Sequence, residues 1–494
     1  MNFAETAKNF ANMKRTENGA PAYKTTTNAV LDLFAQIGAL RPRTEEEILA
    51  KIDVAYQVDP VLTTKMIFYA GNVRGGLGER RTFRIGLKYL ANHNPRVLTY
   101  NIALIPHFNR WDSVFSLVGT PCETVMWEMI SEQLMLDMEG VNNSKTSAKP
   151  VGISLLAKWM PTETAHSKET RALAHRAFIR LGLTPRVYRK MLSALRAHLN
   201  IVESLMSAGK WNEVEYPKVP SYAMKNYRNA FAKHDPDGFS QYIQSLQTGE
   251  VKVNASTLFP YDLVSEYLYG KAHYGGTDPI LEAQWKALPN YVEGENNILV
   301  MADVSGSMTG RPMATSIGLA TYFAQRNHGD YHNLYMSFTD TPHFINLDGH
   351  TTLRDCVRYV EREGMGFSTN LDRAFATILQ HAIDNSVSPS EMPKALVVIS
   401  DMEIDNYTRG RANMDFVQKW KAEFARRGYT LPKLVMWNVE ARNDTFLSQS
   451  PDVLMISGQS ASNFKNLCAD LNGKTAWDLM LEVLNDPMYD CITM

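Results

Sequence analysis

The sequence has no pair of cysteines spaced for a metal or a redox couple. Cys122, Cys356, Cys468 and Cys491 stand far apart and make no C-x-x-C. A disulfide framework or a cysteine-held zinc is therefore not expected, and a reducing compartment is. No apolar run reaches the roughly 18 residues that a membrane-spanning helix needs. The first residues, MNFAETAKNFANMKRTENG, are polar and lack the apolar centre of a secretory leader, so a cytoplasmic location is expected. A strong charge of one sign is missing too. The formal net charge is −1, too small to draw the whole chain to a polyanion.

What is present is uneven. Residues 1–295 hold 34 basic and 29 acidic side chains, whereas 296–494 hold 17 and 23. Within the first part, residues 151–200 carry nine basic and two acidic side chains. A locally basic first half thus precedes an acidic second half. A chain of 494 residues exceeds one ordinary core, so two or more domains are expected.

The two halves also differ in rhythm. Up to about residue 290 the pattern is almost wholly helical. TTNAVLDLFAQIGAL, DPVLTTKMIFYAGNV and TPRVYRKMLSALRAHLN have apolar residues at helical spacing behind N-cap residues, with Pro60 and Pro185 at first helical positions. Further helices are expected over 79–92, 98–117, 122–139, 168–182, 220–233 and 258–272. No strict repeat is visible, and the pattern predicts a curved helical array or a large irregular helical domain. After Glu295 strands and helices alternate. NILVMADV, LYMSFTD, PHFINL, KALVVISD, KLVMWNV and VLMISG read as strands, several of them apolar enough to be buried on both faces. Helices are expected at 312–327, 350–363, 370–384, 412–428 and 474–484. The alternation predicts a doubly wound α/β domain, whose ligands bind beyond the carboxyl ends of the strands.

Asp303 and Asp401 each sit directly after such a strand. ILVMADVSGSM presents Asp303, Ser305 and Ser307 at alternate positions, so one loop can turn a carboxylate and two hydroxyls the same way. GMGFSTNLDRAF adds Thr369 before a helix, and VVISDMEID adds Asp401. An all-oxygen set with two carboxylates suits a hard divalent ion, Mg²⁺ or Mn²⁺. So few charges leave the ion electrophilic enough to take an acidic group from a partner.

D-x-S-x-S with a later threonine and a later strand-end aspartate resembles the metal-ion-dependent adhesion site of von Willebrand factor A domains. The resemblance implies that Asp303, Ser305, Ser307, Thr369 and Asp401 hold the metal. A helical array followed by such a domain resembles the Ro/TROVE family of RNA-binding proteins, in which a helical-repeat ring is closed by a von Willebrand A domain. TENGAPAYKTTTNAVLDLF, RGGLGERRTFR, RWDSVF and VPSYAMKNYRNAF look nearer to a related family of the same layout. The implied organisation is an all-helical, HEAT-like repeat domain over 1–290, a Rossmann-like von Willebrand A domain over 296–485 and a C-terminal tail over 486–494. The implied function is binding of small non-coding or single-stranded RNA on the helical half. The alternative is a metal-dependent protein-interaction adaptor that grips an acidic partner residue, for example one assisting an AAA+ ATPase.

Two basic clusters are the candidates for RNA contact. GNVRGGLGERRTFR places Arg74, Arg80, Arg81 and Arg84 around three glycines, where exposed backbone N–H groups would suit a phosphate. No Walker A lysine follows. KETRALAHRAFIRLGLTPRVYRKML places Arg176, Arg180, Arg186, Arg189 and Lys190 beside Phe178 and Tyr188, aromatics that would stack bases. The plain alternative for both clusters is helix packing with solvated basic faces. His175, His198 and His234 lack metal spacing, no G-x-S-x-G elbow occurs, and Glu403 reads as a solvated or supporting residue. No catalytic residue is assigned and an enzyme is not expected, a metal-dependent nuclease being the third and weakest class.

Overall fold

The computed structural model describes residues 3–144, 151–294, 296–363, 366, 369–405, 416–450, 453–469 and 471–494. Near the start, β1 (Met13–Arg15) and β2 (Pro21–Tyr23) pair as an antiparallel hairpin. Its turn closes with the Ala20 N–H on the Thr16 hydroxyl at 2.8 Å and with Gly19 at φ 91°, a left-handed conformation that glycine adopts without strain.

The second half supplies β3 (Ile298–Asp303), β4 (Leu334–Phe338), β5 (Phe344–Asn346), β6 (Ala395–Ser400), β7 (Lys433–Asn438) and β8 (Leu454–Ser457). They form one mixed sheet in the order β5-β4-β3-β6-β7-β8. Every neighbouring pair is parallel except β4 with the short edge strand β5. β3 and β6 lie side by side at the centre, and all their residues are buried, as their unbroken apolar runs require. Helices Arg311–Arg326, Leu353–Glu363, Leu371–Asp384, Phe416–Arg426 and Ala476–Leu484 fall in the expected stretches. The expected start of the 412–428 helix lies outside the described residues.

The chain divides into two compact units, one of Met1–Thr82 with Ala255–Asp490 and one of Phe83–Asn254 with Cys491–Met494. The boundary expected near residue 290 therefore falls inside the first unit. Packing explains the difference. Ala20 and Ala22 of the hairpin share a core with Met301, Phe338, Phe375 and Trp420 of the sheet layer. Gly38 meets Gly458 so closely that a Cβ at residue 38 would lie 2.6 Å from the Gly458 Cα. Helix Pro260–Leu268 lies against helix Arg311–Arg326 at Gly318, where a Cβ would come within 3.1 Å of the Pro260 carbonyl carbon. None of these contacts is signalled by local apolar spacing.

Among the described residues, the regular elements of the second unit are all helical. Thr184 caps helix Pro185–His198 and Asp235 caps helix Pro236–Thr248, each with proline at the first turn. The single helix expected over 98–117 is instead three pieces: Pro95–Asn101, Leu104–Phe108 and a 3₁₀ segment Trp111–Leu117. Asn109 breaks the run with an extended backbone, its side chain accepting from the Arg110 N–H at 2.9 Å and the Ser113 hydroxyl at 2.9 Å. Residues 486–494 are no loose tail. Tyr489 is buried in the first unit, its hydroxyl 3.1 Å from the Asn72 amide. In the second unit the Thr493 N–H donates to the Asn101 side chain at 2.9 Å. Among the described residues, no helix is long and apolar enough to cross a membrane.

Candidate metal centre

Between β3 and β6 the sheet changes direction: from β3 the chain moves outward through β4 and β5, and from β6 outward through β7 and β8. Such a switch point opens a crevice at the carboxyl ends of the two central strands. Asp303 ends β3 and Asp401 directly follows β6, so both carboxylates stand at that crevice. Both are buried, at 0% and 2% exposure.

Asp303 is held from two sides. One oxygen accepts the Ser305 N–H at 2.9 Å, and the other accepts the Ser400 hydroxyl at 2.6 Å. The Ser305 and Ser307 hydroxyls lie 3.2 Å apart. Asp401 accepts the Glu403 N–H at 3.0 Å and, on its other oxygen, the guanidinium of Arg442. That same guanidinium nitrogen lies 3.4 Å from the Ser307 carbonyl oxygen, which brings the two loops together. Thr369 is tied to the Asp401 loop through Asp405, whose N–H lies 3.2 Å from the Thr369 hydroxyl oxygen. Burial first, and the Asp401 charge second, push the Asp303 carboxyl up to about 7.

The donor set fits a hard divalent ion. It consists of oxygens only, and of the two buried carboxylates, whose charges act on each other, Asp401 alone carries a guanidinium. A divalent cation would relieve the repulsion that raises Asp303. Asp303, Ser305, Ser307, Thr369 and Asp401 are the residues that would hold it. Among the described residues no group of three or more His, Cys, Asp or Glu side chains is placed to hold an ion, so hydroxyls would have to complete the set.

Several contributors carry no motif in the sequence. Ser400 and Arg442 are two of them. A third is the hairpin turn Thr16–Gly19. The Thr16 hydroxyl donates to the Ile404 carbonyl at 2.6 Å, the Glu17 N–H to the Glu403 carboxylate at 2.6 Å, and the Asn18 amide to the Glu403 carbonyl at 2.6 Å. Glu403, read from sequence as solvated or supporting, is buried and also accepts from Thr445 at 3.0 Å. It anchors the loop that follows β6 to the hairpin.

A family model described as "Domain of unknown function (DUF2828)" matches residues 16–110 and 124–297. The chain belongs to the DUF2828 family. A second model, "Domain of unknown function (DUF7788)", matches residues 297–476, which contain the whole six-stranded sheet and the candidate centre. The chain is also similar to "Uncharacterized protein L728" of Acanthamoeba polyphaga mimivirus, with 30% identity over 491 residues, covering 92% of this chain and 84% of that protein. The DUF2828 match begins at Thr16, the first residue of the turn that grips Glu403.

The basic candidates lie inside the DUF2828 segments, and most are engaged. In the glycine-rich turn the N–H groups of Arg74 and Gly75 donate to the Asn72 side chain at 3.0 and 3.2 Å. Those of Leu77, Gly78 and Glu79 donate to the carbonyls of Tyr69, Asn72 and Ala70. The turn offered as a phosphate cradle is therefore a helix C-terminal closure in which these five N–H groups are already used. It ends at buried Glu79, which accepts Arg311 at 3.2 Å, the first residue of the helix after the Asp303 loop. Arg81 reaches the Arg41 carbonyl at 3.4 Å, and Arg80 is also engaged. Arg84 pairs with Asp112 at 2.7 Å, Arg176 and Arg180 both pair with Glu123, and Arg189 pairs with Glu163. Phe178 and Tyr188, expected to stack bases, are buried and pack edge-to-face with ring centroids 6.0 Å apart. Arg186 and Lys190 stand exposed.

Proposed function

We propose that this protein is a metal-dependent interaction adaptor. The sheet-bearing unit acts as a von Willebrand A-type domain, and the helical unit is a HEAT-like scaffold. The observation that carries the reading is the pair of buried carboxylates, Asp303 and Asp401, at the ends of adjacent central strands with serine hydroxyls beside them. Mg²⁺ or Mn²⁺ held there by only two carboxylates keeps enough positive character to accept an acidic side chain from a partner protein. An AAA+ ATPase is one class of partner that such domains assist. No catalytic role is assigned to any residue.

RNA binding on the helical unit is the second reading, favoured by Arg186 and Lys190, which remain exposed on helix Pro185–His198. It ranks behind the adaptor because the two stacking aromatics are in the core and four of the nine basic candidates are ion-paired. Affinity capture from cells, with and without EDTA and with Asp303→Ala as a control, tests the order. Proteins released by EDTA and missing from the Asp303→Ala capture support the adaptor. Captured RNA that survives EDTA, with no chelation-sensitive protein, reverses the ranking.

A further inference from the structure

Arg442 lies 41 residues from Asp401 in sequence and belongs to no motif, yet its guanidinium sits on the carboxylate that the metal reading needs. Asp401 Oδ2 is the oxygen it takes, and the same nitrogen reaches the Ser307 carbonyl. The Asp401 side chain is 1% exposed whereas that of Arg442 is 31% exposed, so the cation enters from the solvent side and covers the carboxylate. We propose that Arg442 is a built-in competitor for the metal position, and that it selects divalent over monovalent cations. This rests on the metal reading above.

The surroundings of Arg442 suit a side chain that leaves. Its Nε is buried without a hydrogen-bond partner, although the Glu440 carboxylate lies 3.9 Å away. A buried donor left unmade costs free energy that a swing into water recovers. The residues that follow are pinned. Asn443 donates to the Glu17 carboxylate at 2.7 Å and to the Glu403 carboxylate at 3.3 Å. Asp444 accepts from Arg43 at 2.9 Å and also from Lys51. The backbone therefore stays in place while the Arg442 side chain turns about its own bonds. Glu440 and Glu17 are the acids near its path, and they offer the displaced guanidinium alternative partners.

Charge decides which ions displace it. A sodium or potassium ion brings the same single charge as the guanidinium, without the directional N–H bonds that the carboxylate accepts. It gains nothing by exchange. A divalent ion brings twice the charge to two carboxylates and wins. Arg442 thus lowers the affinity for every cation, but only a divalent one remains able to bind.

Mn²⁺ binding to the full chain, measured by calorimetry and by the loss of the free-ion electron paramagnetic resonance signal, tests this. Arg442→Gln is expected to tighten Mn²⁺ binding on the order of tenfold, the size of an ordinary coupling between two ligands. Replacing choline by sodium at constant ionic strength is expected to weaken Mn²⁺ binding in Arg442→Gln and to leave the parent unchanged. Arg442→Lys, which keeps the charge, is expected to fall back toward the parent, whereas Arg442→Met, which removes it, is expected to match Arg442→Gln and serves if that variant does not fold. A damaged fold weakens binding and cannot mimic a gain. Unchanged or weaker Mn²⁺ binding in folded Arg442→Gln or Arg442→Met, with binding still abolished by Asp303→Ala, overturns the proposal and leaves the metal site standing. No Mn²⁺ binding in any of the chains overturns both.

Discussion

Ser400 donates its hydroxyl to Asp303 at 2.6 Å across the two central strands of the sheet. The bond fixes one oxygen of the carboxylate while the Ser305 N–H holds the other. Ser400 also accepts the Met402 N–H at 3.1 Å, which shapes the turn carrying Asp401. Ser400→Ala is expected to cost about 1.5–3 kcal/mol of stability, the usual worth of a hydrogen bond to a charged group. It should also weaken Mg²⁺ binding several-fold while leaving the site recognisable. Paired thermal melts and calorimetric titrations check both effects.

Asp303→Ala removes one of the two carboxylates and is expected to abolish Mg²⁺ and Mn²⁺ binding. The domain should remain folded, because the same change removes a buried charge that burial and Asp401 already disfavour. Calorimetry on a variant with an unaltered circular dichroism spectrum is the check. Undiminished heat of binding would show that Asp303 is not a ligand.

The raised Asp303 carboxyl also sets a pH dependence. In the folded chain it takes its proton at about 7, against 3.8 for an ordinary aspartate. Between those values the folded state binds more protons than the unfolded one, so stability in EDTA falls as pH rises through the window. Asp303→Asn cannot ionise and should flatten that slope. Melting temperatures at intervals from pH 4.5 to 7.5, for parent and variant, decide it.

Gly38→Ala places a methyl 2.6 Å from the Gly458 backbone. Neither backbone can yield without disturbing β8, because the Gly38 N–H donates to the Ser457 hydroxyl at 3.0 Å and that hydroxyl donates to the Phe34 carbonyl. A loss of about 1–3 kcal/mol is expected, in line with overpacking in a close-packed interior. Denaturant midpoints at an unchanged slope would confirm it.

The two kinds of basic residue on the helical unit should part under charge reversal. Arg186→Glu with Lys190→Glu alters an exposed face and should leave the melting temperature within a degree or two. Arg176→Glu faces the Glu123 carboxylate, which is only 7% exposed and also holds Arg180, and should destabilise the unit. If RNA binds this unit, the double variant should weaken it across sequences and lower its salt dependence. Filter binding at two salt concentrations reads that out.

How much of this was legible beforehand depended on the range of the forces involved. The central strands of the sheet were visible because a strand buried on both faces is a near-continuous apolar run, as ILVMAD and ALVVIS are up to their last residue; the edge strand FIN buries Ile345 alone and showed itself by its short alternation. Caps such as Thr184 and Asp59 were visible because their hydrogen bonds close within three residues. The hairpin of β1 and β2 was not. MKR and PAY have no strand-like alternation, and their turn is fixed by Glu403 and Ile404 far along the chain. Arg442 was hidden for the same reason. Phe178 and Tyr188 left two readings open, because a buried aromatic between arginines and a stacking aromatic between arginines look alike in one dimension, and the structure buries both.

The grip of Thr16 on the Ile404 carbonyl spans 388 residues, and this has a consequence for biosynthesis. A ribosome adding about 5–20 residues per second takes roughly 20–80 s between the two. Throughout that time the hairpin is outside the exit tunnel with Ala20 and Ala22 uncovered, while the whole of Phe83–Asn254 emerges and has time to fold as its own unit. The sheet-bearing unit cannot close until its last strand, β8, has been made. Until then the hairpin lacks the long-range partners that hold it in the folded chain.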